Sequence, residues 1–159
     1  MRTSRPRRVA VIGSGSCDRA TGRTARTLGE LLAGHGFTIV CGGLSGVMAA
    51  ACQGAKDAGG TTIGILPGED PDAANPYVDV VIVTGMGIAR NVLVVRNADV
   101  VAAVAGEAGT LSEIGIALKL GRPVVAIGKY ATLPGVIPAA SPEEAVARLD
   151  ALAGGENGV

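Results

Sequence analysis

Aromatic side chains are nearly missing from this 159-residue chain, which has one Phe, two Tyr and no Trp. Single-stranded nucleic acid is held by stacking aromatics within an excess of cations, yet here 14 Lys and Arg balance 14 Asp and Glu. Nucleic acid is therefore not an expected partner. No apolar run approaches the roughly 18 residues of a membrane span, so the chain is expected off the membrane. Cysteine is scarce too. Cys17, Cys41 and Cys52 are odd in number and lack C-x-x-C spacing, which excludes a disulfide framework or zinc knuckle and implies a reducing, cytoplasmic setting. Cys41 and Cys52 read as small core residues. The single histidine, His35, lies between two glycines and reads as a turn residue; no metal-ligand spacing is visible. There is no G-x-x-x-x-G-K-[ST], so a P-loop NTPase is excluded. The basic start, with Arg2, Arg5, Arg7 and Arg8, leads into only four apolar residues before Gly13, too few for a signal-peptide core.

Glycine is abundant, with 25 residues, about twice the usual share. The 48% hydrophobic fraction is mostly Val, Ile, Leu and Ala, which suits buried parallel strands and close-packed helices. Short apolar runs alternate with longer helical patterns. The expected architecture is α/β: one Rossmann-like, doubly wound parallel sheet with helices on both faces over residues 8–153, between a flexible basic tail, 1–7, and a flexible tail, 154–159. Strands are expected at 8–12, 38–41, 61–66, 78–83, 100–105 and 123–127. Helices are expected at 24–33, 44–58, 89–97 and 110–120. A last helix opens at Ser141-Pro142-Glu143-Glu144, with a Ser cap, Pro at the first position and Glu three residues on.

Three glycine-rich turns follow strands and precede helices: Gly13-Ser14-Gly15-Ser16, Gly42-Gly43-Leu44-Ser45-Gly46, and Gly106-Glu107-Ala108-Gly109-Thr110. In a doubly wound sheet all three fall on the carboxyl edge, each offering unpaired N–H groups at a helix start, where an anion is favoured. The first begins like a dinucleotide fingerprint but has Asp18 in place of the third Gly. The second strand also ends without the acidic residue that would hold a ribose, so NAD is not the expected ligand. A phosphate-bearing ligand, a nucleotide or a pterin phosphate, is.

The stretches Val40-Cys-Gly-Gly-Leu-Ser-Gly-Val-Met48, Ile65-Leu-Pro-Gly68, Ala74-Asn-Pro-Tyr-Val-Asp79, Thr84-Gly-Met-Gly-Ile-Ala-Arg-Asn91 and Gly109-Thr-Leu-Ser-Glu113 together resemble the SLOG superfamily over nearly the whole domain. Within it the chain is similar to the short proteins once labelled "possible lysine decarboxylase", a group that includes molybdenum cofactor carrier proteins. It is more distantly similar to the Lonely Guy (LOG) phosphoribohydrolases, which release cytokinin bases from nucleoside 5'-monophosphates. The resemblance implies a carrier of a bound nucleotide or molybdenum cofactor, with no cofactor required, or alternatively an N-glycosidic hydrolase in which Arg90 and Glu113 act on substrate. A lysine decarboxylase needs a pyridoxal-phosphate lysine, and Lys56, Lys119 and Lys129 read as surface charges.

The LOG signature P-G-G-x-G-T-x-x-E becomes Ala105-Gly106-Glu107-Ala108-Gly109-Thr110-Leu111-Ser112-Glu113. Glu107 thus puts a carboxylate where a phosphate turn carries Gly. In the arginine motif, Gly87 and Asn91 replace the usual His and Lys beside Arg90. Thr110 to Glu113 also fits a capping box, in which Glu113 would serve the helix rather than a ligand. Arg90 stands in a first helical turn, where a cation is disfavoured by the dipole, and so is expected to bind an anion. The apolar helix faces at Val92, Leu93, Val94 and Val95 and at Leu111, Ile114, Ile116, Leu118 and Leu120 suggest a homodimer or higher oligomer.

Overall fold

Alternate side chains of Arg8–Gly13 (β1) point to opposite faces of a sheet, as the two-residue period of a strand requires. Val9 and Val11 join one apolar cluster, Ala10 and Ile12 the other. The computed structural model describes residues 5–154, and β1 is its central strand. Around it lie Thr38–Cys41 (β2), Thr62–Leu66 (β3), Val80–Val83 (β4), Val100–Val104 (β5), Val124–Ile127 (β6) and Ile137–Pro138 (β7). The order is β4-β3-β2-β1-β5-β6-β7, and every neighbouring pair is parallel.

Helices Arg19–Gly34 (α1), Val47–Asp57 (α2) and Pro142–Ala153 (α5) cover one face, through Leu28, Leu32, Ala51, Cys52 and Leu149. Arg90–Arg96 (α3) and Ala108–Lys119 (α4) cover the other, through Val94, Val95, Ile114 and Ala117. Each fully buried Leu or Ile contributes roughly 1.5–3 kcal/mol. Edge strand β4 is bare on both faces, with Val80, Val81, Ile82 and Val83 between 36% and 45% exposed. On the face of seven-residue α3 it borders an open groove lined by Val40, Ile63, Ile65, Val80 and Ile82.

Several helix starts differ from expectation, and side-chain capping explains one of them. Asp18 accepts from the Thr21 N–H at 2.7 Å, so α1 opens at Arg19 rather than at 24. The second helix opens later, at Val47, with Gly46 as its cap. The fourth opens earlier, at Ala108, with Glu107 in the cap position. Thr110 and Glu113 therefore sit inside α4, and the capping-box reading of Thr110 to Glu113 is overturned. The Ser141 cap holds: its Oγ accepts from the Glu144 N–H, while Glu144 reaches back to the Ala140 N–H. Two-residue β7, which includes a proline, has no recognisable pattern in the sequence.

Part of the expected basic tail lies against the domain. Arg5 donates to Asp99. Arg7 donates to Asp150 and to the His35 carbonyl and lies over the Phe37 ring at 4.3 Å. Residues 1–4 and 155–159, the remainder of both expected tails, lie outside the described residues. Among those described, no helix is long and apolar enough to cross a membrane.

Candidate functional site

From β1 the chain progresses outward through β2, β3 and β4, while β5, β6 and β7 add on the other side. The crevice between the carboxyl ends of β1 and β5 is thus the topological switch point, where open α/β sheets hold ligands. A cavity of about 220 Å³ occupies it. Of the residues singled out in the sequence, Gly13, Ser14, Gly15, Gly42, Arg90, Asn91, Glu107, Gly109, Thr110 and Glu113 line this cavity. Ser16, Gly43, Ser45, Gly46 and Gly106 do not. Two of these fasten the second turn to the first: Ser45 Oγ donates to the Gly15 carbonyl at 2.7 Å, and Gly46, at φ +68, packs where a Cβ would lie 2.3 Å from the Ser14 oxygen. Val11, Ile12, Leu44 and Met48 complete the lining; Val11 and Ile12 are fully buried in the core behind it, so Leu44 and Met48 give its apolar surface. Sequence alone misses these four, because apolar residues in strands and helix starts read as core.

Among the described residues, Arg90 is the only cationic side chain on the cavity wall, and it is 9% exposed. Its Nε donates to the Ile65 carbonyl at 2.9 Å, Nη1 to Asn91 Oδ1, and Nη2, at 3.5 Å, to the Gly42 carbonyl. A guanidinium has five N–H groups, so two remain for a ligand. Gly42 makes this placement feasible, because a Cβ there would stand 2.6 Å from Nη2. Burial lowers the Arg90 pKa from its usual value, and the charges of Glu113 and Cys41 oppose that shift. Asn91, also buried and next to Arg90 on α3, donates through Nδ2 to Ser112 Oγ of α4, so the neighbouring helix anchors the side chain that orients Arg90.

Glu113 projects into the cavity from the second turn of α4 and is 8% exposed. Burial raises its carboxyl to about 7, against the opposing pull of Arg90. No hydrogen bond contributes to that shift, so the group is buried, lightly partnered and poised to exchange a proton near neutrality. Glu107 is exposed at the rim.

The three helix starts are not equivalent. At α1 the Asp18 carboxylate already occupies the anion position; the first turn therefore contributes backbone to the cavity rather than an open helix end. At α2 the Val47 N–H is taken by the Ser14 carbonyl. At α4 no side chain caps the helix, and the N–H groups of Ala108, Gly109 and Thr110 have no acceptor within it. Just before it, Ala105 has φ +53, alone among described non-glycine residues in being positive. Such strain persists where surrounding structure enforces it, commonly at functional sites.

Cys41 and Cys52 touch in the core with sulfurs 3.6 Å apart, and contact with Cys41 together with burial pushes the Cys52 thiol up. Cys17 is exposed. Among the described residues no three His, Cys, Asp or Glu side chains gather as a metal site.

Comparison with known proteins gives the same picture. A protein of Archaeoglobus fulgidus is 44% identical over 138 residues, covering 87% of this chain and 91% of that protein. The structure of a molybdenum cofactor binding protein from the phototrophic bacterium Rippkaea orientalis superposes with a TM-score of 0.89 at 37% identity, covering 94% of this chain and 99% of that one. The molybdenum cofactor carrier protein of Chlamydomonas reinhardtii superposes with a TM-score of 0.87 at 35% identity, covering 95% and 100%. The profile of one family matches residues 6–158, the whole sheet with its switch-point cavity, and the chain accordingly belongs to the SLOG cluster4 family.

Proposed function

We propose that this protein binds a phosphate-bearing small ligand, of the molybdenum cofactor or nucleotide class, and carries it rather than transforming it. The observation that supports this most is the meeting, on one cavity, of the uncapped α4 start with a buried guanidinium that keeps two free N–H groups. A phosphate seated there accepts from the Gly109 and Thr110 N–H groups and from Arg90, with the helix dipole adding to the attraction. The carrier reading is also favoured by the Rippkaea and Chlamydomonas proteins, which bind or carry molybdenum cofactor.

The residues present fit a pterin phosphate. The α4 start and Arg90 would hold the phosphate, Leu44 and Met48 give apolar surface for a flat ring, and the Glu113 carboxyl can accept from ring N–H groups. When bound, the cofactor supplies redox chemistry through its metal. The part proposed for this chain is to bind and orient the ligand and keep it from water. Within the cell we place this in the cytoplasm, with the protein as a homodimer or higher oligomer.

One observation favours a second reading. A buried carboxyl titrating near 7 beside a phosphate site is suited to general acid–base work, and Glu113 would act so in a LOG-like phosphoribohydrolase. There it would steady the ribose or activate water as the N-glycosidic bond breaks, with Arg90 positioning the substrate. A pyridoxal-phosphate decarboxylase has no support, since no lysine among the described residues lines the cavity.

The discriminating assay follows release of adenine and ribose 5-phosphate from AMP by wild type, Arg90→Ala and Glu113→Gln. The carrier reading predicts no turnover, and ligand binding that Arg90→Ala weakens by about tenfold or more, the cost of a charge-assisted contact. Turnover abolished by Glu113→Gln with the fold intact would establish the hydrolase instead.

A further inference from the structure

We propose that Glu107 restricts the cavity to ligands that present a single phosphate monoester, by setting a carboxylate against any further anionic charge at the rim. The inference rests on the reading of the cavity as an anion site and names the ligand class within it.

Glu107 holds the cap position of α4 yet makes no cap bond with its side chain, and it forms no ion pair among the described residues. Its backbone is fixed, because the carbonyl accepts from Tyr130 Oη at 3.2 Å and from the Leu111 N–H at 3.0 Å. The carboxylate is thus tethered to a rigid point on the cavity lining while remaining exposed. Inside, one guanidinium is the only cationic side chain among the described residues. One phosphate satisfies it together with the α4 N–H groups. A second phosphoryl group that extends toward the exposed rim approaches the Glu107 carboxylate, and among the described residues the cavity lining offers it no second Lys or Arg and no acidic cluster for a divalent cation. Sites built for di- and triphosphates supply such a cation. At a separation of roughly 4–6 Å in a solvent-exposed rim, each opposed unit charge changes affinity about three- to tenfold, and salt screens the effect.

A purely structural role is also open to Glu107, since an acid at a helix start favours the dipole. Replacing it would then lower thermal stability and leave ligand discrimination unchanged. The test separates the two. Wild type and Glu107→Gln are titrated with inorganic phosphate and with pyrophosphate, followed by phosphorus NMR and calorimetry at about 0.02 M and about 0.5 M salt. The expected result is that wild type prefers phosphate, that the variant binds pyrophosphate about three- to tenfold tighter than wild type, and that this gain shrinks at high salt. An unchanged phosphate-to-pyrophosphate ratio overturns the proposal. So does a variant that binds both probes more weakly at both salts, because the carboxylate would then be a ligand contact. If neither protein binds phosphate at all, the anion-site reading itself fails and this proposal falls with it, an outcome distinct from phosphate binding with an unchanged ratio.

Discussion

Glu113 concentrates the physical tension of the site in one side chain. In the unfolded chain its carboxyl titrates near 4.5, and in the folded protein burial raises this to about 7. The folded state therefore binds that proton more tightly. Its contribution to stability is fully present below the unfolded value and is lost as pH rises from about 4.5 to about 7, on the order of 3 kcal/mol in all. Carboxylates held low by partners, such as Asp79 beside Lys56 and Asp99 beside Arg5, act in the opposite direction and only at more acidic pH. Between about pH 5 and about pH 8 the difference between wild type and a Glu113 variant reports this carboxyl, because groups common to both proteins, the His35–Asp150 pair included, cancel. We predict that Glu113→Gln matches wild type in thermal melting at about pH 5 and exceeds it by several degrees at about pH 8. Parallel pH dependence of the two proteins would show that the carboxyl is not buried as described.

Helix starts decide which glycine-rich turn can hold an anion, and it is at helix starts that the sequence is hardest to read. Asp18 and Glu107 both occupy cap positions. Asp18 is short enough to reach the Thr21 N–H and closes its helix, whereas Glu107 makes no such bond and leaves α4 open. In the sequence Asp18 stands out only as a break in the dinucleotide pattern, because its reach depends on a helix that starts at Arg19, ahead of the hydrophobic periodicity. The strands are legible because short runs of Val, Ile and Ala between turn residues suit a buried strand and little else. The convergence of the turns is legible too, since a doubly wound sheet brings its strand-to-helix turns to one edge. The apolar cavity wall is not, because Leu44 and Met48 look the same in sequence whether they face core or cavity. We expect Asp18→Ala to lower the midpoint of denaturant unfolding while ligand affinity stays unchanged, since the Asp18 side chain does not line the cavity. A loss of affinity with unchanged stability would instead place the first turn among the anion contacts.

The whole molecule has an uncovered side and a ligand-facing edge. Val80, Val81, Ile82 and Val83 on edge strand β4, with Met86 and with Ile88 at 88% exposure, leave apolar surface on both faces of this edge that neither helical layer covers. Exposed apolar surface of this kind usually meets a partner, and a bare apolar edge strand is otherwise a liability. A second copy of the chain is the expected occupant. Light scattering at micromolar concentration should give a dimer or larger mass, and Ile82→Asp should shift it towards monomer; a strictly monomeric wild type would refute this. On the ligand-facing edge, the proposal is that the switch-point cavity holds a phosphate-bearing ligand through Arg90 and the start of α4. Its most direct test is mass spectrometry and fluorescence of whatever remains bound after anaerobic purification of wild type and Arg90→Ala. Wild type is expected to carry a pterin phosphate or nucleoside monophosphate, and the variant to be depleted of it. A wild type that retains no anionic ligand and takes up neither AMP nor molybdenum cofactor when supplied would contradict the assignment.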